Sequence, residues 1–213
     1  MKSPNTLRVN ERDIRVAQWV AEQQAVRLDT IAQLLSLWGS PCKDRNLRRL
    51  ADRWEQLGLV RRQLLLVDAP AILWPTASSM KLTNFPDKRV EIRPSITNLH
   101  HTVAVARVRV EYEVMGATWT CERSLRGKYP DQHLADGLVH LGQQSALVEV
   151  ERARKEQNRL QLILAANART PGIDQVHYWT TPKLMPFLHE QITRLDPAIR
   201  NRVFVYLLPQ EVI

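Results

Sequence analysis

Three acidic residues in the second half of the chain have the spacing of a cation-binding site. In the stretch HLADGLVHLGQQSALVEVERARKEQ, Asp136 opens one apolar run, and Glu149 and Glu151 close the next. The two runs, Leu134–Leu141 and Ser145–Glu151, read as antiparallel strands joined by Gly142-Gln143-Gln144, a tight hairpin turn. Residues two apart on a strand share a face, so Glu149 and Glu151 project together, with Asp136 arriving from the neighbouring strand. Such an oxygen-rich set suits a hard divalent cation such as Mg2+. A metal held by Asp136 and Glu149 would activate water and stabilise the transition state of phosphodiester cleavage.

A second constellation is basic and lies in the first half. Seven Lys and Arg residues fall between positions 43 and 62. A helix from Lys43 to Leu57 has Leu47, Leu50, Ala51, Trp54 and Leu57 on one face, with Gly58 as its stop. Lys43, Arg45, Asn46 and Arg49 point away from that face, and Arg48, Asp52 and Arg53 flank them. Arg and Lys donate to guanine edges and phosphates, while Asn pairs with adenine through two bonds. Asp44 would repel phosphate unless it caps the helix. Arg61 and Arg62, followed by Gln63, begin an extended segment suited to phosphate or minor-groove contact.

These side chains need elements to position them. Asn10 caps an expected helix to about Gln24, with Ile14, Ala17, Trp19, Val20 and Ala21 inward. A short helix from Leu28 or Asp29 ends at Gly39-Ser40-Pro41. The basic helix comes third, and strands Leu59–Val67 and Ile72–Thr76 form a hairpin around Asp68-Ala69-Pro70. Two helices, a basic third helix and a hairpin are the element order of a winged helix-turn-helix, whose third helix enters the DNA major groove. The expected division is a DNA-binding domain over 1–85, a linker over 86–98 and a second domain over 99–213.

The second domain reads as a helix over 99–115, strands over 117–126, 134–141 and 145–151, and a basic helix from Arg152 to Asn167. A strand over 176–181, a helix over 183–195 and a strand over 202–208 complete it. This succession predicts a mixed sheet flanked by helices, so the fold class of the whole chain is α+β passing into α/β.

Composition narrows the function classes. The chain has 213 residues, 30 Lys+Arg against 22 Asp+Glu, and a net charge of +8. Residues 1–85 carry 13 basic against 8 acidic side chains, and 86–213 carry 17 against 14. A polyanion partner follows, duplex DNA being the expected one. Neither an apolar run of membrane length nor a signal-peptide core occurs, so a cytoplasmic protein with no membrane partner is expected. Cys42 and Cys121 are far apart, without CxxC or Cys/His clusters, and are expected as two buried free thiols. HExxH, GxSxG and GxxxxGK[ST] are all absent, which removes zinc proteases, serine hydrolases and P-loop enzymes. His133 and His140 flank the Asp136 strand and are expected at its ends, while the six tryptophans are expected in the core.

The acidic stretch resembles the PD-(D/E)xK nuclease-like fold, with Asp136 in the place of the Asp and Glu149 in that of the Glu. The resemblance implies an extra carboxylate late in the preceding helix, at Glu111 or Glu113. The departure is at 151, where Glu151 stands in place of the Lys that positions water and neutralises the scissile phosphate. Arg152, Arg154 or Lys155 would have to supply that charge. Both halves together resemble the replication-relaxation family of bacterial plasmids and other mobile elements. That resemblance rests on Leu99-His100-His101 with Val103, Ala104 and Arg107, on Ala135-Asp136-Gly137, and on Val148-Glu149-Val150-Glu151-Arg152. It covers roughly residues 10 to 170 and implies a winged helix ahead of a nuclease-like domain.

The expectation is thus a sequence-specific double-stranded DNA-binding protein, a regulator of replication, transfer or transcription on a mobile element. It would act as a homodimer on paired half-sites. The nuclease-like domain would be degenerate, serving dimerisation or DNA contact with no cofactor. The rival is a Mg2+-dependent DNA endonuclease using Asp136 and Glu149, assisted by Glu151, Glu111 or Lys155. A protein-interaction module that never touches DNA is the third reading.

Overall fold

A computed structural model of the chain describes residues 8–65, 69–85, 96–128 and 134–209. It separates into two compact units, Met1–Val103 and Ala104–Ile213.

The first unit opens with α1 (Glu11–Gln23), closed at its start by a capping box in which Asn10 and Asp13 each accept the other's backbone N–H. A two-residue strand, β1 (Val26–Arg27), leads directly into α2 (Leu28–Leu37). After a turn comes α3 (Asp44–Gln56), whose buried residues Leu47, Ala51 and Trp54 recur at helical spacing. Gly58 ends it at φ +66°, the left-handed conformation that lets Leu59 N–H reach back to the Trp54 carbonyl. The chain then enters β2 (Val60–Gln63) and returns in β3 (Ile72–Pro75). The sheet order is β1-β3-β2, all antiparallel, with Val60 opposite Pro75 and Val26 opposite Leu73. A short α4 (Ala77–Met80) follows. Val16, Ile31, Leu34, Leu35, Trp54, Leu73 and Met80 are fully buried and form the core.

Four local expectations change here. Ile14 is exposed and Val16 takes the inward position on α1. β1 and α4 are additional elements, the first too short to show a period of two. Asp68 of the expected hairpin turn, and residues 86–95 of the expected linker, lie outside the described residues. The linker's last residues are helical, because α5 runs over Ile96–Val114. Leu99 and Val103 on its first turns bury with Ala25, Ile72 and Trp74, which places the boundary between units beyond the prolines.

The second unit is a five-stranded mixed sheet between helical layers. After α5 come β4 (Thr118–Cys121), α6 (Glu122–Lys128), β5 (Gly137–Leu141) and β6 (Gln144–Glu151). Then follow α7 (Gln157–Ala168), β7 (Gln175–Thr180), α8 (Met185–Thr193), α9 (Pro197–Arg200) and β8 (Val203–Leu207). The order β4-β5-β6-β7-β8 is antiparallel through β6 and parallel from β6 to β8. On one face Ala146, Val148 and Val150 pack against Ala104, Val105, Val108 and Tyr112 of α5. On the other, Leu147, Val176, Tyr178 and Val203 pack against Leu160 and Leu164 of α7 and Leu188 of α8. With both faces covered, seven of the eight β6 residues are buried.

The strand expected over 117–126 stops at Cys121, because its pairing partner begins at Gly137. Beyond it Glu122 and Arg126 form an i,i+4 ion pair and Leu125 is buried, so the segment winds into α6. The basic helix starts at Gln157 rather than Arg152, since the Glu156 carboxylate caps it by accepting from the N–H groups of Asn158 and Arg159. Among the described residues, no helix is long and apolar enough to cross a membrane.

Candidate functional site

The basic residues of the first unit divide into two groups. Lys43, Arg45, Asn46, Arg48 and Arg49 are all exposed on α3 and its N-cap, opposite Leu47, Ala51 and Trp54. None of these five side chains has a hydrogen bond or ion pair among the described residues. Arg53 and Arg62 are engaged within the protein. Arg53 donates to the Asp13 carboxylate at 2.9 and 3.2 Å and to the carbonyl of Arg8, while Trp54 Nε1 donates to the other Asp13 oxygen at 3.0 Å. Asp13 is fully buried. Burial raises its pKa, but the Arg53, Asn10 and Trp54 hydrogen bonds outweigh that and hold the carboxyl below its usual range. Arg62 lies 2.6 Å from Asp52 and 3.6 Å from Glu55. Both arginines thus have acidic partners within the first unit, unlike the five side chains on the α3 face. Arg61 is exposed on β2. Asp44 occupies the first helical position without capping, so its charge faces the positive end of the helix dipole.

In the second unit the three carboxylates occur together on the α7 side of the sheet. Asp136 accepts the Val150 N–H at 2.7 Å, and Glu149, 4% exposed, accepts from Asn167 Nδ2 at 2.9 Å. Glu151, 7% exposed, lies 2.6 Å from Lys155 Nζ. Burial pushes the Lys155 pKa down, but the hydrogen bond to Glu151 and the charges of Glu151, Glu149 and Asp136 more than reverse this, so its ammonium is held above the usual range. Tyr178, opposite Glu149 in the β6–β7 register, is fully buried. Its phenol is raised well above normal, first by burial and then by the neighbouring Glu149, Glu151 and Asp136 charges.

Lys155 sits in the β6–α7 loop and brings a cation to residue 151, the position where a lysine was missing. Arg154 instead stacks on Phe187, 4.3 Å from its ring centre. Glu111 pairs with Arg107 at 3.2 Å and Glu113 with Arg109 at 2.6 Å, so each is tied along its own helix. Among the described residues, no three His, Cys, Asp or Glu side chains form a group that would hold a metal ion. The oxygens of Asp136, Glu149 and Glu151 face a backbone N–H, an amide and an ammonium.

Other expectations fall out simply. Trp19, Trp54 and Trp74 are buried, whereas Trp38, Trp119 and Trp179 are only half-buried. Cys121 is buried, but Cys42 is half-buried, a correction to the expected pair of buried thiols. His140 is exposed, and His133 lies outside the described residues. Two features escaped the sequence: the Asp13–Arg53–Trp54 cluster, which joins residues about forty positions apart, and Arg12, which lines a groove beside α3. Compared with protein-family models, curated proteins and solved structures, the chain matches none.

Proposed function

We propose that this chain is a double-stranded DNA-binding protein whose first unit acts as a winged helix, with α3 in the major groove and the β2–β3 hairpin as the wing. The carrying observation is the face of α3, where Lys43, Arg45, Arg48 and Arg49 are exposed and unpaired among the described residues, while Arg53 and Arg62 have acidic partners. Unpaired cations on one helical face release counterions when they meet phosphates, and Asn46 among them supplies a base-reading amide. The three-helix, three-strand order α1-β1-α2-α3-β2-β3 supports the same reading.

The second unit, in this reading, is a PD-(D/E)xK-like scaffold used for homodimerisation or DNA contact. Its support is the engagement of Asp136, Glu149 and Glu151 by protein donors. Two copies would present two α3 helices to paired half-sites and thereby recognise sequence. The residues shared with the replication-relaxation pattern, among them Asp136, Glu149, Glu151 and Arg152, support a regulatory role on a mobile element.

The direct experiment is fluorescence anisotropy of the full chain with a labelled duplex across a salt series. Arg45→Ala and Arg48→Ala are each expected to weaken binding and to reduce the salt slope by about 1. Unchanged affinity and slope in both variants would remove the α3 assignment.

A further inference from the structure

The groove beside α3 carries an inference that rests on the reading above and extends it. It has a volume of about 490 Å³ and is lined by Arg12 of α1, Ser40, Pro41 and Cys42 of the α2–α3 turn, and Asn46 and Arg49 of α3. An adjoining recess of about 210 Å³ shares Arg12 and Ser40 and adds Arg15, Trp38 and Glu11. Nothing in the sequence pattern singles out Arg12 or Arg15, which sit on α1, ahead of the basic run in the chain.

Arg12 is the most informative of these residues. Its Nε is buried and has no hydrogen-bond partner among the described residues. A buried donor left unmatched is costly, and Arg12, which lines the groove, carries further guanidinium N–H groups suited to an anionic oxygen. Arg15 is pinned differently: its guanidinium carbon lies 4.0 Å from the centre of the Trp38 ring, a cation–π contact that orders the side chain without neutralising it. Arg49 and Asn46 add an unpaired guanidinium and an amide, and Ser40 a hydroxyl.

Acidic groups around the groove are few. Asp13 is committed to Arg53 and Trp54, Glu11 lines only the recess, and Asp44 is felt at Cys42, where Arg12 opposes it. Arg12 and Arg49 thus line the groove, and Arg12 and Arg15 the recess beside it, where Glu11 also lies.

We infer that this groove and its adjoining recess form a phosphate-binding site, built from Arg12, Arg15, Ser40, Asn46 and Arg49, which takes a backbone phosphate of the same duplex that α3 contacts. Arg49 and Asn46 belong both to the groove and to the exposed face of α3, so a strand following that face meets the groove. Arginine suits the role because its planar fork matches two phosphate oxygens at once. Contacts of this kind fix register and orientation on the duplex without reading sequence.

The test uses the full chain and a labelled random-sequence duplex, with affinity followed across a salt series. Arg12→Gln and Arg15→Gln are each expected to weaken binding several-fold and to lower the salt slope by about 1, equally for unrelated sequences. Arg12→Lys, which keeps the charge, is expected to retain the wild-type slope, and unchanged thermal melting excludes misfolding. Wild-type slopes in Arg12→Gln and Arg15→Gln, alongside a reduced slope in Arg45→Ala, would overturn the groove assignment and leave the α3 reading standing. Loss of DNA binding from no variant, Arg45→Ala included, would overturn both. Inorganic phosphate is the competing source. If it raises the melting temperature of the wild type but not of Arg12→Gln, while duplex affinity is the same in both, the groove takes free phosphate and the backbone assignment falls.

Discussion

Arg53 turns from the solvent side of α3 to close over Asp13, and this decides what its loss would do. Asp13 is fully buried and receives Arg53, Trp54 and the Asn10 N–H. Arg53→Ala would strand a buried carboxylate, at a cost of about 3 kcal/mol. The expected outcome is a lower urea midpoint with an unchanged salt slope for DNA, the reverse of the pattern for Arg45→Ala. Because the folded pKa of Asp13 lies below its unfolded value, the stabilisation is complete above the unfolded pKa and is lost as pH falls through the folded one.

His177 also resists protonation in the folded state, but the form it keeps is neutral rather than charged. Trp179 Nε1 donates to the Tyr112 oxygen at 3.0 Å, Tyr112 is 2.7 Å from His177 Nδ1, and His177 Nε2 is 2.7 Å from Gln175 Oε1. Each group is satisfied once if the ring is neutral with its proton on Nε2, so that Nδ1 accepts the phenol O–H. Burial lowers the His177 pKa from 6.5 to about 4. The unfolded chain then binds the extra proton first, and stability falls as pH drops below 6.5, levelling off near 4. Discounted for partial exposure, the loss is roughly 2 kcal/mol. Denaturant midpoints measured over this window should decline in the wild type and stay flatter in His177→Gln; equal slopes in both would assign the decline to other groups.

At the scale of elements, Gly137 connects sequence pattern to sheet geometry. It opens β5 opposite Cys121, and a Cβ placed on it would lie 2.2 Å from the Trp119 ring. Gly137→Ala is expected to destabilise the protein by about 1–3 kcal/mol through overpacking. Trp119→Leu should cost less in the Gly137→Ala background than alone, since it removes the clash; a simple sum of the two effects in thermal melts would refute the steric account.

The glycine in Ala135-Asp136-Gly137 thus has a packing reason that no sequence motif conveys. α3 and β6 were legible because Leu47, Ala51 and Trp54 keep a helical period and Ala146, Leu147 and Val148 form an apolar run. β1 and α4 were not, because two and four residues are too short for a period to appear. α6 was hidden because the end of β4 is set by its partner strand rather than by its own residues. The basic face of α3 could be read from residue types, but the pairing of Arg53 and Arg62 depends on tertiary contacts. The reach of Lys155 to Glu151 likewise depends on where the Glu156 cap starts α7.

For the whole molecule, the charge of +8 is less informative than where its free part lies. Among the described residues four unpaired cations belong to α3 and its cap, whereas Asp136, Glu149 and Glu151 of the second unit lie against internal donors. A protein so arranged should grip DNA and leave it intact. With supercoiled plasmid and either Mg2+ or Mn2+, the full chain is expected to retard the plasmid in a gel without nicking it. Affinity should fall with salt at a log–log slope of about −5 per protomer, set by the four α3 cations together with Arg12 and Arg15. Asp136→Ala should leave both results unchanged, because in this reading Asp136 holds the Val150 N–H and binds no metal. Nicking that depends on the added metal and disappears in Asp136→Ala would instead require the carboxylates to release their donors and gather an ion, making the second unit an endonuclease. Lys155→Met separates these cases further. In a scaffold it unpairs the buried Glu151 carboxylate and lowers the melting temperature, whereas in a nuclease it would also abolish cleavage at temperatures where the variant remains folded.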